Sequence, residues 1–139
     1  MSHPQLDNLV HIGQLKVEQP TEGELKGLLH SGLCRLADAE RSDLSLASRF
    51  DLGYNAAHAL ALVALRARGY RSKSRYLVFQ CLQHTIDLPH EQRRILDRAH
   101  RKRNLAEYEG DTDVDEQLVA ALLRVARQVA ERVDDLMTS

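Results

Sequence analysis

The chain has 139 residues, a length typical of a single domain, of which 43% are hydrophobic and 28% are charged. This composition is that of a folded globular protein, and no apolar run approaches the ~18 residues that a membrane span requires. The first residues also lack the basic start and the apolar run of a signal peptide. We therefore expect a soluble, cytoplasmic protein that has no membrane partner.

The net charge of −1 conceals a basic middle segment. Residues 66–103 contain eleven Lys/Arg and three Asp/Glu, whereas the other 101 residues contain eight Lys/Arg and seventeen Asp/Glu. Such a segment is typical of a surface that faces a polyanion. The alternative is that the acidic helices fold against the basic ones and neutralise them. The sequence leaves both interpretations open.

The composition favours helices over sheets. The chain has no Trp, two Phe and four Tyr, so Leu, Ala and Val must fill the core. Strand-like alternation is missing from the sequence, and the predicted loops are short. We therefore predict an all-α, up-and-down bundle of four to five main helices plus a short N-terminal helix. The expected single domain consists of an N-terminal helix and linker in residues 1–20 and the bundle in residues 21–137.

The first three helices follow from apolar spacing and caps. Residues 6–16 form a short amphipathic pattern that Pro20 should end. Thr21 and Glu24 form a capping box for a helix that should continue to about residue 40. Residues 44–68 predict the most buried helix, with a cap from residues 42–43 and an end at Gly69, a residue suited to follow a helix.

Three further helices complete the predicted bundle. Ser72 or Ser74 can cap a helix over residues 75–85, and Pro89 can open a helix that continues to residue 108. That fourth core helix has few apolar residues, so one of its sides should be exposed or lie in an interface. Residues 113–116 resemble a second capping box, and the apolar spacing that follows suits a helix long enough to project or to pair with another subunit.

The sequence offers little support for metal or thiol chemistry. Cys34 and Cys81 have no CxxC partner, so we interpret them as two buried thiols. The histidines show neither HxxxH nor HExxH spacing, and we predict no metal site and no cofactor. We interpret His58 as a satisfied core or interface side chain. His100 is interpreted as a solvated member of the basic run, with the alternative that it supplies an imidazole beside Arg103.

The strongest local motif is Arg103-Asn104, followed by three residues and then Tyr108. The planar guanidinium of Arg103 can bond two oxygens of one phosphate. The alternative is that Arg103 pairs with Glu107 one helical turn later, while Asn104 and Tyr108 pack and close the helix.

Residues 21–137 resemble the HEPN superfamily of α-helical bundles through this motif and through the part of the second core helix that runs from Tyr54-Asn55-Ala56-Ala57 to its end before Gly69. Ribonucleases of that superfamily carry an arginine, a polar residue, three variable residues and a histidine, and cut RNA without metal at a dimer interface. The resemblance implies a homodimer with Arg103, Asn104 and Tyr108 at the catalytic positions. A phenol, with a pKa near ~10, is a poor base at neutral pH, so tyrosine in place of histidine favours binding over cleavage.

Two functions are consistent with this resemblance. The first is a nucleic-acid-directed module of a toxin–antitoxin or defence system, which binds RNA phosphates through a basic dimer surface. Its expected contacts are Arg71, Lys73, Arg75, Arg94, Arg98, Arg101 and Lys102. The second is a non-catalytic accessory or substrate-binding partner of a minimal nucleotidyltransferase, in which residues 103–108 form an interface.

Overall fold

The computed structural model describes residues 3–109 and 114–138, with residues 106–109 described by their backbone alone. Helices form most of this part of the chain, which confirms the predicted all-α class. The elements, in chain order, are helix α1 (Pro4–His11), strand β1 (Lys16–Val17), helix α2 (Glu22–Ala39), helix α3 (Leu46–Ala67), strand β2 (Tyr70–Arg71), helix α4 (Arg75–Gln80), helix α5 (Leu82–Thr85), helix α6 (His90–Glu109) and helix α7 (Glu116–Thr138). Within these ranges, none of the helices is long and apolar enough to cross a membrane.

Helix α3 is the centre of the bundle, as its Ala-rich sequence predicts. It packs against α2 on one side and α7 on another, and it also contacts α4, α5 and α6. Its largest fully buried side chains are Tyr54, Leu60, Val63, Leu65 and Arg66. Gly32 of α2 lies against Leu60, and Glu24 of α2 binds Arg66, so α2 and α3 are antiparallel.

Hydroxyl caps set the start of three helices. Thr21 Oγ1 accepts a hydrogen bond from the Glu24 N–H at 3.1 Å, as predicted, and Ser74 Oγ accepts one from the Leu77 N–H at 3.2 Å. Helix α3 begins two residues later than predicted because its cap is Ser45 and not residues 42–43. The sequence therefore predicted the caps at Thr21 and Ser74 correctly and placed the cap of α3 too early. The predicted return contact of the Glu24 side chain was wrong, because the Glu24 carboxylate binds Arg66.

The N-terminal segment differs most from its prediction. Helix α1 ends at His11, well before Pro20, because the chain turns at Gly13 with a φ of 83°. Two of the residues after this turn form β1, which pairs antiparallel with β2. The expectation of no strand was therefore wrong, because the two strands, each of two residues, form a short ribbon. Leu15, in the turn between α1 and β1, is 3% exposed and ties this segment to the core.

The predicted helix over residues 75–85 is divided into α4 and α5. The chain tightens at Cys81, whose carbonyl accepts hydrogen bonds from the N–H groups of both His84 and Thr85. Cys81 and Leu82 are both buried at this point. The segment therefore forms two short helices where the apolar spacing predicted one.

Helix α7 neither projects nor leaves its apolar stripe open. The stripe is buried against the bundle along its length, at Leu118, Leu122, Val125, Val129 and Val133. The backbone N–H of Gln117 donates to Asp115 Oδ1 at 2.7 Å, so Asp115 caps the helix. The predicted cap at Asp113 lies outside the described residues.

Two glycines of α2 predict opposite responses to alanine. A Cβ at Gly32 would lie 2.9 Å from Leu60 Cγ in the closely packed α2–α3 contact, whereas a Cβ at Gly27 would meet no atom within 4 Å. We expect Gly32→Ala to destabilise the fold by about 1–2 kcal/mol. Gly27→Ala should stabilise it by about 0.5–1 kcal/mol through helix propensity. Urea unfolding of both variants measures the difference, and equal signs would contradict the close α2–α3 approach.

Candidate nucleic-acid interface

A buried tyrosine ring on α3 contacts basic side chains from α4 and α6. Tyr54 is fully buried, and the guanidinium carbons of Arg103 and Arg75 lie 4.9 Å and 5.6 Å from its ring centre. The imidazole of His100 is stacked on the same ring at 6.2 Å between centres. We call this group the Tyr54 cluster; its members are Tyr54, Asn55, His58, Arg75, His100, Arg103 and Asn104.

Helical spacing explains why these side chains meet. His100, Arg103 and Asn104 are three and four residues apart, so they share a face of α6. Tyr54 and His58 are four residues apart and share a face of α3. Phe79 of α4 packs against both of these side chains. Its ring centre lies 5.7 Å from that of Tyr54, and the two rings meet edge to face. The cluster therefore occupies the junction of α3, α4 and α6.

The structure corrects the interpretation of His100 as a solvated side chain. Tyr54 Oη lies 2.9 Å from His100 Nδ1, and Asn104 Nδ2 lies 3.4 Å from His100 Nε2. An amide N–H can only donate, so the consistent tautomer has a bare Nε2 that accepts from Asn104 and an Nδ1–H that donates to the Tyr54 oxygen. His100 is therefore a half-buried, oriented imidazole.

Both imidazoles of the cluster favour their neutral form. Burial is the main cause that lowers the pKa of His58 to about 4, and the charges of Arg75 and Arg103 add to it. Burial also lowers the pKa of His100, with Asp97 opposing the change and the same two arginines supporting it. At neutral pH the formal positive charges of the cluster are thus the two guanidiniums.

Three exposed arginines form a stripe along α6 outside the cluster. Arg94, Arg98 and Arg101 are four and three residues apart, and we call them the α6 basic stripe. Among the described residues, none of them has a carboxylate within ion-pair distance. A groove of about 330 Å³ beside the stripe is lined by Arg98, Arg101, Lys102, Leu105 and Leu118. Arg101 and Asn104 are three residues apart, so the stripe and the Tyr54 cluster meet at that edge of α6, whereas Arg103, two residues from Arg101, lies on the other side of the helix.

The structure does not bring Arg71 into this region. Arg71 forms ion pairs with Glu18 at 3.1 Å and Glu24 at 3.4 Å, beside the buried Arg66. Arg66 and Tyr54 are twelve residues apart on α3, which corresponds to about 18 Å along the helix. Lys73 is exposed in the turn before α4. The basic middle segment is therefore split between internal neutralisation at one end of α3 and a cationic surface on α4 and α6.

Two further expectations have different outcomes. Cys81 is buried as predicted, and burial raises its pKa to about 11. Cys34 is exposed, contrary to the prediction, and its Sγ lies 3.5 Å from His30 Nε2.

The Tyr108 side chain lies outside the described residues, and so does the Glu107 carboxylate that was the alternative partner of Arg103. In the rest of the chain, no group of three or more His, Cys, Asp or Glu side chains could hold a metal ion.

Sequence reasoning singled out Arg103 and Asn104 but gave no role to Tyr54 beyond the family resemblance and the core. The available signal was that Tyr54, Asn55 and His58 place polar side chains within about one turn, directly before an apolar run from Ala59 to Leu65. Comparison of the chain with family models, with curated proteins and with solved structures gives no match. The candidate interface is therefore defined by its own geometry.

Proposed function

We propose that the protein is a HEPN-like, RNA-directed module that binds RNA phosphates through the α6 basic stripe, with the Tyr54 cluster on another face of the same helix. The observation that carries this proposal is the row of three exposed arginines in the stripe, which have no carboxylate partner among the described residues. Proteins bind nucleic acid mainly by replacing the counterions of its phosphates with Lys and Arg. The resemblance adds a homodimer and a toxin–antitoxin or defence setting to the proposal.

Binding is better supported than cleavage. A metal-independent ribonuclease needs a base whose pKa lies near neutral pH, and Tyr108 supplies a phenol instead. The described imidazole nearest in sequence to Arg103 is His100, and both of its ring nitrogens contact other side chains of the cluster. The arrangement suits a fixed, neutral imidazole and not a general base.

Salt dependence of RNA binding tests the proposal. We expect the affinity of the wild type for single-stranded RNA to fall steeply between about 50 and 300 mM salt. Removing two phosphate contacts with Arg98→Ala/Arg101→Ala should reduce the slope of log affinity against log salt by about 1.4. Fluorescence anisotropy of a labelled oligonucleotide measures both quantities.

Arg35→Ala is the matched control, because Arg35 is exposed on α2 and bonds Ser31 of its own helix. It should leave the affinity and the salt slope unchanged. An equal loss in Arg35→Ala would show nonspecific charge attraction. A wild type that binds no RNA would overturn the proposal and favour the accessory role beside a nucleotidyltransferase. If the wild type cleaves RNA in the presence of EDTA and Arg103→Ala abolishes the cleavage, the protein is a ribonuclease and the proposed binding role is wrong.

A further inference from the structure

A cleft without formal charge lies between the N-terminal helix and the two short helices that precede α6. It has a volume of about 300 Å³, and its walls are formed by α1 on one side and by α4 and α5 on the other. None of the described residues that line it is Lys, Arg, Asp or Glu. The grooves beside the α6 basic stripe, in contrast, are lined by arginines. The polar side chains that line the uncharged cleft are those of Gln5, Asn8, Gln80, Gln83 and His84.

Most of these polar groups are available to a ligand. Within the described part of the chain, the side chains of Gln5, Asn8 and Gln83 form no hydrogen bond. Each of these amides offers both donors and an acceptor. Burial is the main cause that lowers the pKa of His84, so its imidazole is neutral at pH 7 and also offers one donor and one acceptor. The cleft can therefore match a neutral group that carries donors and acceptors of its own.

The rest of the lining is apolar, and the walls are held in place. Leu9 on α1 and Leu77 on α4 each line the cleft and pack against the hydrophobic core. Leu6 of α1 is fully buried, and the Tyr70 hydroxyl donates to Asp7 Oδ1, so α1 is fixed to the bundle. A preformed, mainly apolar cleft with a few polar groups is the usual form of a site for a small uncharged ring.

The cleft adjoins the α6 basic stripe through α4. Gln80, which lines the cleft, donates from Nε2 to Asp97 Oδ1 of α6 at 2.8 Å. Asp97 is three residues after Arg94 and four before Arg101, so it lies at the edge of the stripe. One hydrogen-bonded pair of side chains therefore connects the wall of the cleft to the cationic surface.

We propose that this cleft binds one unpaired base of the RNA whose phosphates contact the α6 basic stripe. This inference rests on the proposed function and adds the class of RNA that the protein selects, which is single-stranded. The edge of the base bonds the amides of Asn8 and Gln83, and its faces lie against Leu9 and Leu77. A paired base is excluded, because pairing occupies the edge that the amides require.

An abasic RNA tests the inference, because it keeps the phosphates and lacks the bases. We expect the wild type to bind a single-stranded RNA hexamer about tenfold more tightly than an abasic hexamer at the same salt concentration, the effect of about two neutral hydrogen bonds. Asn8→Ala/Gln83→Ala should abolish this preference and keep the salt slope. In the wild type, the side-chain amide resonances of Asn8 and Gln83 should shift with the base-bearing hexamer and not with the abasic one.

Gln14→Ala is the matched control, because Gln14 carries an exposed amide in the turn after α1 and does not line the cleft. It should keep the preference, whereas Arg98→Ala/Arg101→Ala should weaken the binding of both hexamers and keep their ratio.

The outcomes separate this inference from the proposed function. If the wild type binds both hexamers equally, the base site is wrong and phosphate binding stands. A preference that survives in Asn8→Ala/Gln83→Ala, or amide resonances that do not respond to the base-bearing hexamer, would place the bases elsewhere and overturn the inference as well. If the wild type binds neither hexamer, the proposed function is wrong, and the inference fails with it.

Discussion

Replacing Arg66 with methionine should destabilise the protein by about 3–5 kcal/mol, the largest loss that we expect from replacing one charged residue. Arg66 belongs to the basic middle segment by sequence, yet only 1% of it is exposed. Its guanidinium donates to the Glu24 carboxylate at 3.0 Å, to the Glu18 carbonyl at 2.7 Å and to the Tyr70 carbonyl at 3.2 Å. Methionine fills similar volume but cannot donate, so the two carbonyls lose the Arg66 donor and Glu24 keeps only its longer contact with Arg71 at 3.4 Å.

These contacts join segments that are distant in sequence. They tie the linker before α2 to the end of α3 and to β2, so one side chain closes the ribbon onto the bundle. The hydrogen bond from Arg66 is also the main cause that lowers the pKa of Glu24. Removing Arg66 therefore leaves both a carboxylate and backbone carbonyls in a poorly solvated place.

Urea unfolding with a double-mutant cycle measures the effect. Arg66→Met/Glu24→Leu should cost less than the sum of its two single variants, because neither charge is then left unpaired. Arg41→Ala is the control, since Arg41 pairs with Asp43 at an exposed site and should leave the stability nearly unchanged. A loss below about 1 kcal/mol for Arg66→Met would show that water replaces its partners.

Local patterns predicted the helices well where a local cause sets them. Thr21 and Ser74 cap their helices because a hydroxyl satisfies an N–H three residues later, an interaction that the sequence displays directly. The pairing of β1 with β2 depends on how distant segments meet, and apolar spacing contains no information about that. Arg66 is the sharpest example, because its carboxylate partner Glu24 is 42 residues away.

The same limit applies to the candidate interface. The spacing of Arg103 and Asn104 is visible in the sequence because both lie on one helix. Their relation to Tyr54 depends on the packing of α6 against α3, which no motif encodes. His100 was interpreted as a solvated side chain because its neighbours in sequence are basic, whereas its hydrogen-bond partner Tyr54 is 46 residues earlier.

Acid should destabilise the wild type through His58. Its pKa is about 4 in the folded protein against 6.5 for an unperturbed histidine, so between those values the unfolded chain binds a proton that the folded chain does not. The contribution is fully present above about pH 6.5 and is lost as the pH falls toward 4. A difference of this size corresponds to up to about 3 kcal/mol.

His58→Gln removes this titration while keeping a polar side chain of comparable reach beside Phe79. We expect the stability of the wild type to fall more steeply than that of the variant between about pH 6.5 and 4.5, measured by urea unfolding at several pH values. Other groups, including Glu24, titrate in both proteins and cancel in the comparison. If the stability of the two proteins changes equally with pH, His58 accepts a proton in the folded protein without loss of stability. A steeper fall in the wild type would mean that the junction of α3, α4 and α6 resists a third positive charge, as expected where Arg75 and Arg103 already converge.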